Sequence, residues 1–254
     1  YHFKNNLGAE YLYFWADTFL AMSKTEFEEF CEIYSKIKLP FWIETRPETV
    51  NDYNISKLAA VGLDRISFGV EHGNEAFRLK VLGRLWKNED IITALRVPHK
   101  YGVKFSVNNI TGFPYETKKL AFDTIELNRH IESDNQNIFT FVPFHGTPLR
   151  KTCEDLGLMK PETITTTCTT DDTQLIMPQY PPHEIKEVLR TFNLYCKFPR
   201  NRWKDIAKAE KVDTEGEKIY QELKQEFLEK YMPKVNADPR NAAKDFAFNA
   251  KSIN

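Results

Sequence analysis

The 254-residue chain is poor in several things, and each shortage excludes something. It has four cysteines, Cys31, Cys153, Cys168 and Cys196, and no C-x-x-C pair among them. A disulfide framework or a zinc finger is therefore not expected; isolated thiols are. It has no excess of charge. Thirty-five Lys and Arg against 36 Asp and Glu leave a formal net charge of -1, so phosphate neutralisation and nucleic-acid binding are not indicated. It has no apolar run of about 18 residues, so no membrane-crossing helix is expected, and no signal peptide is visible. It also has no initiator methionine, and the expectation is a piece of a longer protein.

What is present suits a folded α/β chain. Apolar residues make up 41% and charged residues 28%, with 19 Phe and 11 Tyr to fill a core. Strand-like and helix-like patterns alternate. Glu10 to Ala16 (EYLYFWA) reads as a strand. Residues 23–38 read as a helix, because Phe27, Phe30, Cys31, Tyr34 and Ile37 recur at three- and four-residue steps. Ser23 followed by Glu26 is a capping-box signature. Further strands are expected over 40–46, 65–70, 103–110 and 137–144. Helices are expected over 47–61, 74–82, 88–100, 116–132 and up to about Leu156. Gly62 suits a helix C-terminus. The alternation predicts a parallel sheet, open or barrel-like, with strands apolar on both faces.

After Leu156 the character changes. Residues 163–173 (TITTTCTTDDT) read as an exposed loop or short edge strand. A helix follows Pro181-Pro182, then charged helical sequence over 202–231. The final stretch, 233–254, reads as poorly ordered or peripheral. The domain expectation is a partial barrel over 1–158 and a mainly helical accessory region over 159–254.

Polar residues gather where the strands end. They are Ala16-Asp17-Thr18, Glu44-Thr45-Arg46, Glu71-His72-Gly73, Asn108-Asn109 leading into Thr111-Gly112-Phe113-Pro114, and Pro143 to Pro148. In parallel α/β folds ligand sites form at these ends. Each group also has a plainer reading. Glu71 could face a helix dipole. Glu44 and Arg46 are assigned to opposite strand faces, so one of them could only decorate the rim. Gly112 and Pro114 could merely shape a turn, and His72 and His145 are expected to be hydrogen-bonded structural residues.

Taken together, LYFWADTFL, LPFWIETRPETV, LAAVGLDRISFGVEHGNEAFRLKVLGR, GVKFSVNNITGFPYET and FVPFHGTPL resemble the radical S-adenosylmethionine (radical SAM) superfamily. The branch concerned often carries an N-terminal cobalamin-binding domain. The stretches follow the family's order over roughly residues 10–158. The resemblance implies a partial (β/α)6 TIM-like barrel lacking its first βα unit, followed by a C-terminal helical extension. The C-x-x-x-C-x-x-C motif that would hold a 4Fe-4S cluster is absent from the sequence. Its ligands are then expected outside this chain.

By the same resemblance, Ala16 and Asp17 would meet the methionine ammonium of SAM, in a motif that reads Trp-Ala-Asp instead of Gly-Gly-Glu. Glu44 and Arg46 match polar positions, and Glu71 and Arg84 would hold the ribose hydroxyls and the carboxylate. Asn108 would face the ribose or methionine, with Ile110, Gly112 and Val142 near the adenine. The implied function is reductive cleavage of SAM at the cluster to start radical chemistry on an unknown substrate, with cobalamin-dependent methyl transfer as a variant. The implied reductant is a flavodoxin or ferredoxin, and the expected setting is the cytoplasm. Two alternatives stay open: a non-catalytic, barrel-derived binding module without a cluster, and a different barrel lyase.

Overall fold

The computed structural model describes residues 1–165 and 173–232. Cys168, most of the Thr-rich segment and the stretch 233–254 lie outside the described residues. The elements run α1 (His2–Leu7), β1 (Leu12–Phe14), α2 (Lys24–Ile37), β2 (Phe41–Thr45), a 3-10 turn (Pro47–Thr49), α3 (Asp52–Val61), β3 (Leu63–Glu71), α4 (Glu75–Leu82), α5 (Asn88–Ala94) and α6 (Val97–Lys100). They continue with β4 (Lys104–Thr111), α7 (Lys118–Arg129), β5 (Asn135–Thr140), α8 (Pro148–Asp155), α9 (Pro182–Lys197), α10 (Trp203–Ala209) and α11 (Thr214–Lys230). The five strands form one sheet in the order β1-β2-β3-β4-β5, the α/β arrangement expected. β1 with β2, and β2 with β3, pair in parallel.

Several boundaries differ from the sequence expectation. The opening stretch forms a short helix, α1, closed by Gly8 in the left-handed region. The 47–61 helix is broken into a 3-10 turn and α3, because Asn51 caps a new start and exchanges hydrogen bonds with Asn54. The 88–100 helix divides at Leu95–Arg96, just ahead of Pro98, which has no N–H to continue the ladder of α5 and sits in the first turn of α6. β5 stops at Thr140, so Val142 and Phe144 lie in the loop beyond it. Other local signals were read correctly. Ser23 and Glu26 form the capping box of α2, and Gly62 ends α3 at φ 115°.

The chain divides into two compact units. The first comprises Tyr1–Glu71, Gly83–Asn108 and His130–Asn137. Its helix-facing core is aromatic. Phe30 and Tyr34 of α2 meet Phe41 of β2, with ring centroids 6.0 and 4.5 Å away. Phe41, Ile43, Ile66 and Phe68 are fully buried, and Phe68 and Phe105 pack at 5.6 Å. Burying such side chains contributes roughly 1.5–3 kcal/mol each.

The second unit comprises His72–Leu82, Asn109–Arg129 and Ile138–Asn254. Its core combines Phe77, Phe113, Ile125 and Phe141 with Ile185, Val188 and Phe192 of α9 and Ile206 of α10. Lys118 of α7 bridges Glu187 and Glu210 at 2.6 and 2.7 Å, and Tyr195 donates to the same Glu210. Arg150 of α8 is 4% exposed and donates to the Pro143, Pro161 and Thr163 carbonyls, to Thr165 Oγ1 and to Glu154. One guanidinium thus satisfies the acceptors of an irregular stretch that has no ladder of its own.

Candidate functional site at the strand ends

The sheet of the first unit has two unlike faces. On β2, Phe41, Ile43 and Thr45 are buried while Trp42 and Glu44 are half-buried. On β4, Phe105 and Val107 are buried while Ser106 and Asn108 are half-buried. The expectation of strands apolar on both faces therefore fails. Among the described residues one face is buried, and the other, half-buried, carries polar and aromatic side chains. Residues two apart share a strand face, so the assignment of Glu44 and Arg46 to opposite faces does not hold either.

The polar face is connected across its strands. Tyr13 of β1 stands opposite Trp42 of β2, with rings 4.9 Å apart, and its hydroxyl donates to Glu44. Burial first, and then the Glu44 carboxylate, push the Tyr13 hydroxyl above its ordinary pKa. Trp42 Nε1 donates to Ser67 Oγ at 3.0 Å, and Ser67 Oγ lies 3.1 Å from Ser106 Oγ. Asn137 Nδ2 donates to Asn108 Oδ1 at 2.8 Å.

At the end of β3 sits Glu71, in the left-handed region at φ 70°. For a non-glycine residue that conformation costs on the order of 1–2 kcal/mol. Its carboxylate meets Arg84 Nη2 at 3.1 Å, and Arg84 Nη1 donates to the Gly69 carbonyl at 2.8 Å. The two side chains are 19% and 18% exposed. Gly69 makes room for this arrangement: a Cβ there would stand 2.6 Å from Glu71 Oε1. Burial pushes the Glu71 carboxyl above the usual carboxylate range; Arg84 and Arg46 oppose that shift and Glu48 reinforces it.

Among the residues expected at the site, Ala16 is half-buried and Asp17 exposed, in the turn after β1. That turn is held to the end of β2 by Phe19 N–H donating to the Glu44 carbonyl at 2.8 Å. A second bond runs from Leu20 N–H to Thr45 Oγ1 at 3.3 Å. Arg46 is exposed just beyond β2. The first unit thus holds Ala16, Asp17, Glu44, Arg46, Glu71, Arg84 and Asn108. Ile110, Gly112 and Val142 belong to the second unit.

There, Ile110 packs half-buried against the core, and Gly112 opens the GFPYE turn. Val142 is half-buried past the end of β5. The turn is organised by Glu116, which the sequence analysis did not single out. Glu116 is fully buried and accepts from Gly112 N–H at 2.5 Å, Phe113 N–H at 2.9 Å, Thr111 Oγ1 at 3.2 Å and His72 Nε2 at 3.2 Å. His72 Nδ1 accepts from Asn74 N–H at 3.1 Å, so the ring proton sits on Nε2. His72 is thus a hydrogen-bonded structural residue, stacked on Phe77 at 4.3 Å. The signal for Glu116 was a carboxylate four residues after a turn glycine, where it can accept from the turn's N–H groups.

The described residues do not fit an iron–sulfur cluster. They contain no group of three His, Cys, Asp or Glu side chains suited to a metal ion. Cys31, Cys153 and Cys196 are buried. Burial raises the pKa of all three thiols, that of Cys153 to about 11, which opposes the thiolate form that iron requires. Around Glu71 the chemistry is polar and organic instead: a carboxylate packed against Gly69 and paired with the Arg84 guanidinium.

A parallel α/β sheet with charged and amide groups at its strand ends is the arrangement on which ligand sites are built in this class of fold. The sequence model of the Radical SAM superfamily matches residues 2–127, and the chain belongs to that superfamily. S-adenosylmethionine and a 4Fe-4S cluster are the cofactors that this family implies.

Over 114 residues the chain is 31% identical to the tRNA-2-methylthio-N(6)-dimethylallyladenosine synthase of Halalkalibacterium halodurans. The match covers 42% of this chain and 20% of that protein, so the chain spans about a fifth of the relative's length. Among solved structures, coproporphyrinogen III oxidase HemN from Escherichia coli, a radical SAM enzyme, is similar with a TM-score of 0.59 at 16% identity. That match covers 75% of this chain and 41% of HemN. The cobalamin-dependent S-adenosylmethionine radical enzyme OxsB is similar with a TM-score of 0.54 at 13% identity, over 98% of this chain and 44% of OxsB. These likenesses show the fold. Among the described residues no helix is long and apolar enough to cross a membrane.

Proposed function

We propose that the polar face of the first unit binds S-adenosylmethionine, as part of a radical SAM enzyme whose cluster ligands lie outside this sequence. The observation that supports it is the Glu71 cradle. A carboxylate held in a left-handed conformation and packed against Gly69 suits a vicinal diol, whose hydroxyls both donate to it. Asn108, two residues beyond Ser106 on β4, offers an amide on the same face. Asp17 and the carbonyls of its turn suit the methionine ammonium. Glu44 and Arg46 give the rim one charge of each sign.

Reductive cleavage of SAM at a 4Fe-4S cluster needs thiolates that these residues do not supply. It is a proposal for the whole protein, and no residue described here is given a part in electron transfer. Cobalamin dependence is the finer form of the reading, supported by likeness of fold to OxsB. A flavodoxin- or ferredoxin-like reductant and a cytoplasmic setting come from the resemblance. The tRNA in the name of the Halalkalibacterium halodurans relative is not carried over, because the match covers 20% of that protein.

Calorimetric titration of SAM into the full-length protein tests the reading. Glu71→Gln should weaken SAM about tenfold, as expected for losing hydrogen bonds to a charged acceptor. In the parent, affinity should fall on acidification through the raised pKa of Glu71, because protonation removes the acceptor anion. Unchanged affinity in Glu71→Gln refutes the assignment. A non-catalytic SAM-binding module is the second reading, favoured by the protonated, buried thiols. Iron content of the full-length protein purified without oxygen separates the two.

A further inference from the structure

We infer that Tyr13 is a positioning residue: its hydroxyl sets the Glu44 carboxylate at the end of β2 to receive the methionine ammonium of SAM. The inference rests on the SAM-binding reading of this face and goes beyond it, since the resemblance gave Glu44 no ligand partner and left Tyr13 out.

Three observations converge. First, the two side chains are diagonal neighbours on one face. Tyr13 of β1 stands opposite Trp42 of β2, and Glu44 lies two residues further along that face, within reach of a long side chain. The Tyr13 hydroxyl donates to Glu44 Oε1. A hydroxyl has one proton to give, so this donor is spent on Glu44. Second, the phenol is held in place. Its ring lies 4.9 Å from that of Trp42 and 5.6 Å from that of Trp15. Trp42 is itself fixed by Nε1 donating to Ser67 Oγ at 3.0 Å, with the Arg65 guanidinium 5.5 Å from its ring. Third, Glu44 Oε2 makes no hydrogen bond among the described residues, so one carboxylate oxygen is anchored and the other stays open to a donor.

The surroundings favour a cationic donor there. The turn that carries Asp17 is tied to the same strand end by Phe19 N–H donating to the Glu44 carbonyl at 2.8 Å. Asp17 is exposed and Glu44 half-buried, so two carboxylates stand at one corner. A hydrogen bond from an ammonium to a carboxylate is stronger than one between neutral groups. The rim also carries Arg46, exposed two residues beyond Glu44, so an amino-acid zwitterion meets both signs of charge. Burial and the Glu44 carboxylate push the Tyr13 hydroxyl above its ordinary pKa, which keeps it a donor.

The test titrates three ligands into the full-length protein by calorimetry. They are SAM, decarboxylated SAM, which keeps the ammonium and lacks the carboxylate, and 5′-methylthioadenosine, which lacks the whole amino-acid portion. Tyr13→Phe keeps the stacked ring and removes the hydroxyl. It should weaken SAM and decarboxylated SAM by one common factor, about fivefold, and leave methylthioadenosine within about twofold of the parent. Glu44→Gln should show the same selectivity with a larger factor, about tenfold. It also keeps the shape of the side chain, which covers the case in which Tyr13→Phe fails to fold. In the Glu44→Gln background Tyr13→Phe should cost less than about twofold, because the hydroxyl acts through the carboxylate.

Equal weakening of all three ligands by Tyr13→Phe would overturn the inference, because only a general loss of packing reaches methylthioadenosine as well. So would unchanged SAM affinity in either variant. An equal cost of Tyr13→Phe in both backgrounds would overturn it too, since the hydroxyl would then act on the ligand directly. A parent protein that binds neither SAM nor methylthioadenosine sinks the SAM reading itself, and that outcome is distinct from a loss confined to ligands that carry the ammonium.

Discussion

Glu116 carries the most concentrated demand in the second unit, and its removal gives the sharpest test of how the turn after β4 is held. Four donors converge on its carboxylate in a fully buried place: two backbone N–H groups, one hydroxyl and one imidazole N–H. Hydrogen bonds to a charged acceptor contribute about 1.5–3 kcal/mol each, and donors stranded without water cost about 1–3 kcal/mol. The four share one acceptor and do not add fully, so Glu116→Ala should cost about 4–6 kcal/mol. At about 2–4 °C per kcal/mol for a chain of this size, the melting midpoint should fall by roughly 10–20 °C. Glu116→Gln should cost less, about 2 kcal/mol. Its carbonyl can still serve Gly112 and Phe113, but its NH2 meets the Nε2–H of His72. His72 cannot switch tautomer without losing the Asn74 N–H bond. Thermal melts by circular dichroism, with hydrogen exchange at the Gly112 and Phe113 amides, measure both effects. A Glu116→Ala midpoint within about 2 °C of the parent, or a Gln variant as damaged as the Ala one, refutes this account.

Two further outcomes follow from the packing. Arg150→Met removes the donor shared by three carbonyls; only Pro143 among their owners is buried, so the others can rehydrate and the loss should be about 2–4 kcal/mol. Limited proteolysis should then cut within 143–165 sooner than in the parent, and an unchanged cleavage rate would count against the role of Arg150. Cys31, Cys153 and Cys196 should resist alkylation at pH 8 until the protein is denatured, because burial keeps their thiols protonated. Peptide mapping by mass spectrometry reads each site, and rapid labelling of the folded protein would show that these thiols are reachable after all.

Much of the fold was legible in local pattern. The three- and four-residue spacing of Phe27, Cys31 and Tyr34 marked the buried face of α2, and Ser23 with Glu26 marked its start. The alternation of Ile66, Phe68 and Val70 with Ser67, Gly69 and Glu71 identified the two sides of β3. Interruptions were harder to see. Asn51 had to win the competition for a helix start against a periodicity that ran through it, and β5 ended two residues before Val142 because pairing, not hydrophobicity, limits a strand.

The sequence by itself determined which residues stand at the strand ends and on which side of each strand they lie, since a period of two is a local property of the backbone. It could not decide how those residues engage one another. Arg84 lies 13 positions from Glu71, and Glu116 lies 44 from His72. No periodicity links such pairs, and contact between them depends on how the chain folds back. The left-handed turn at Glu71, the packing of its carboxylate against Gly69 and the direction of the His72 proton exist only once those pairs have met. They are consequences of burial, where leaving a polar group without a partner is costly.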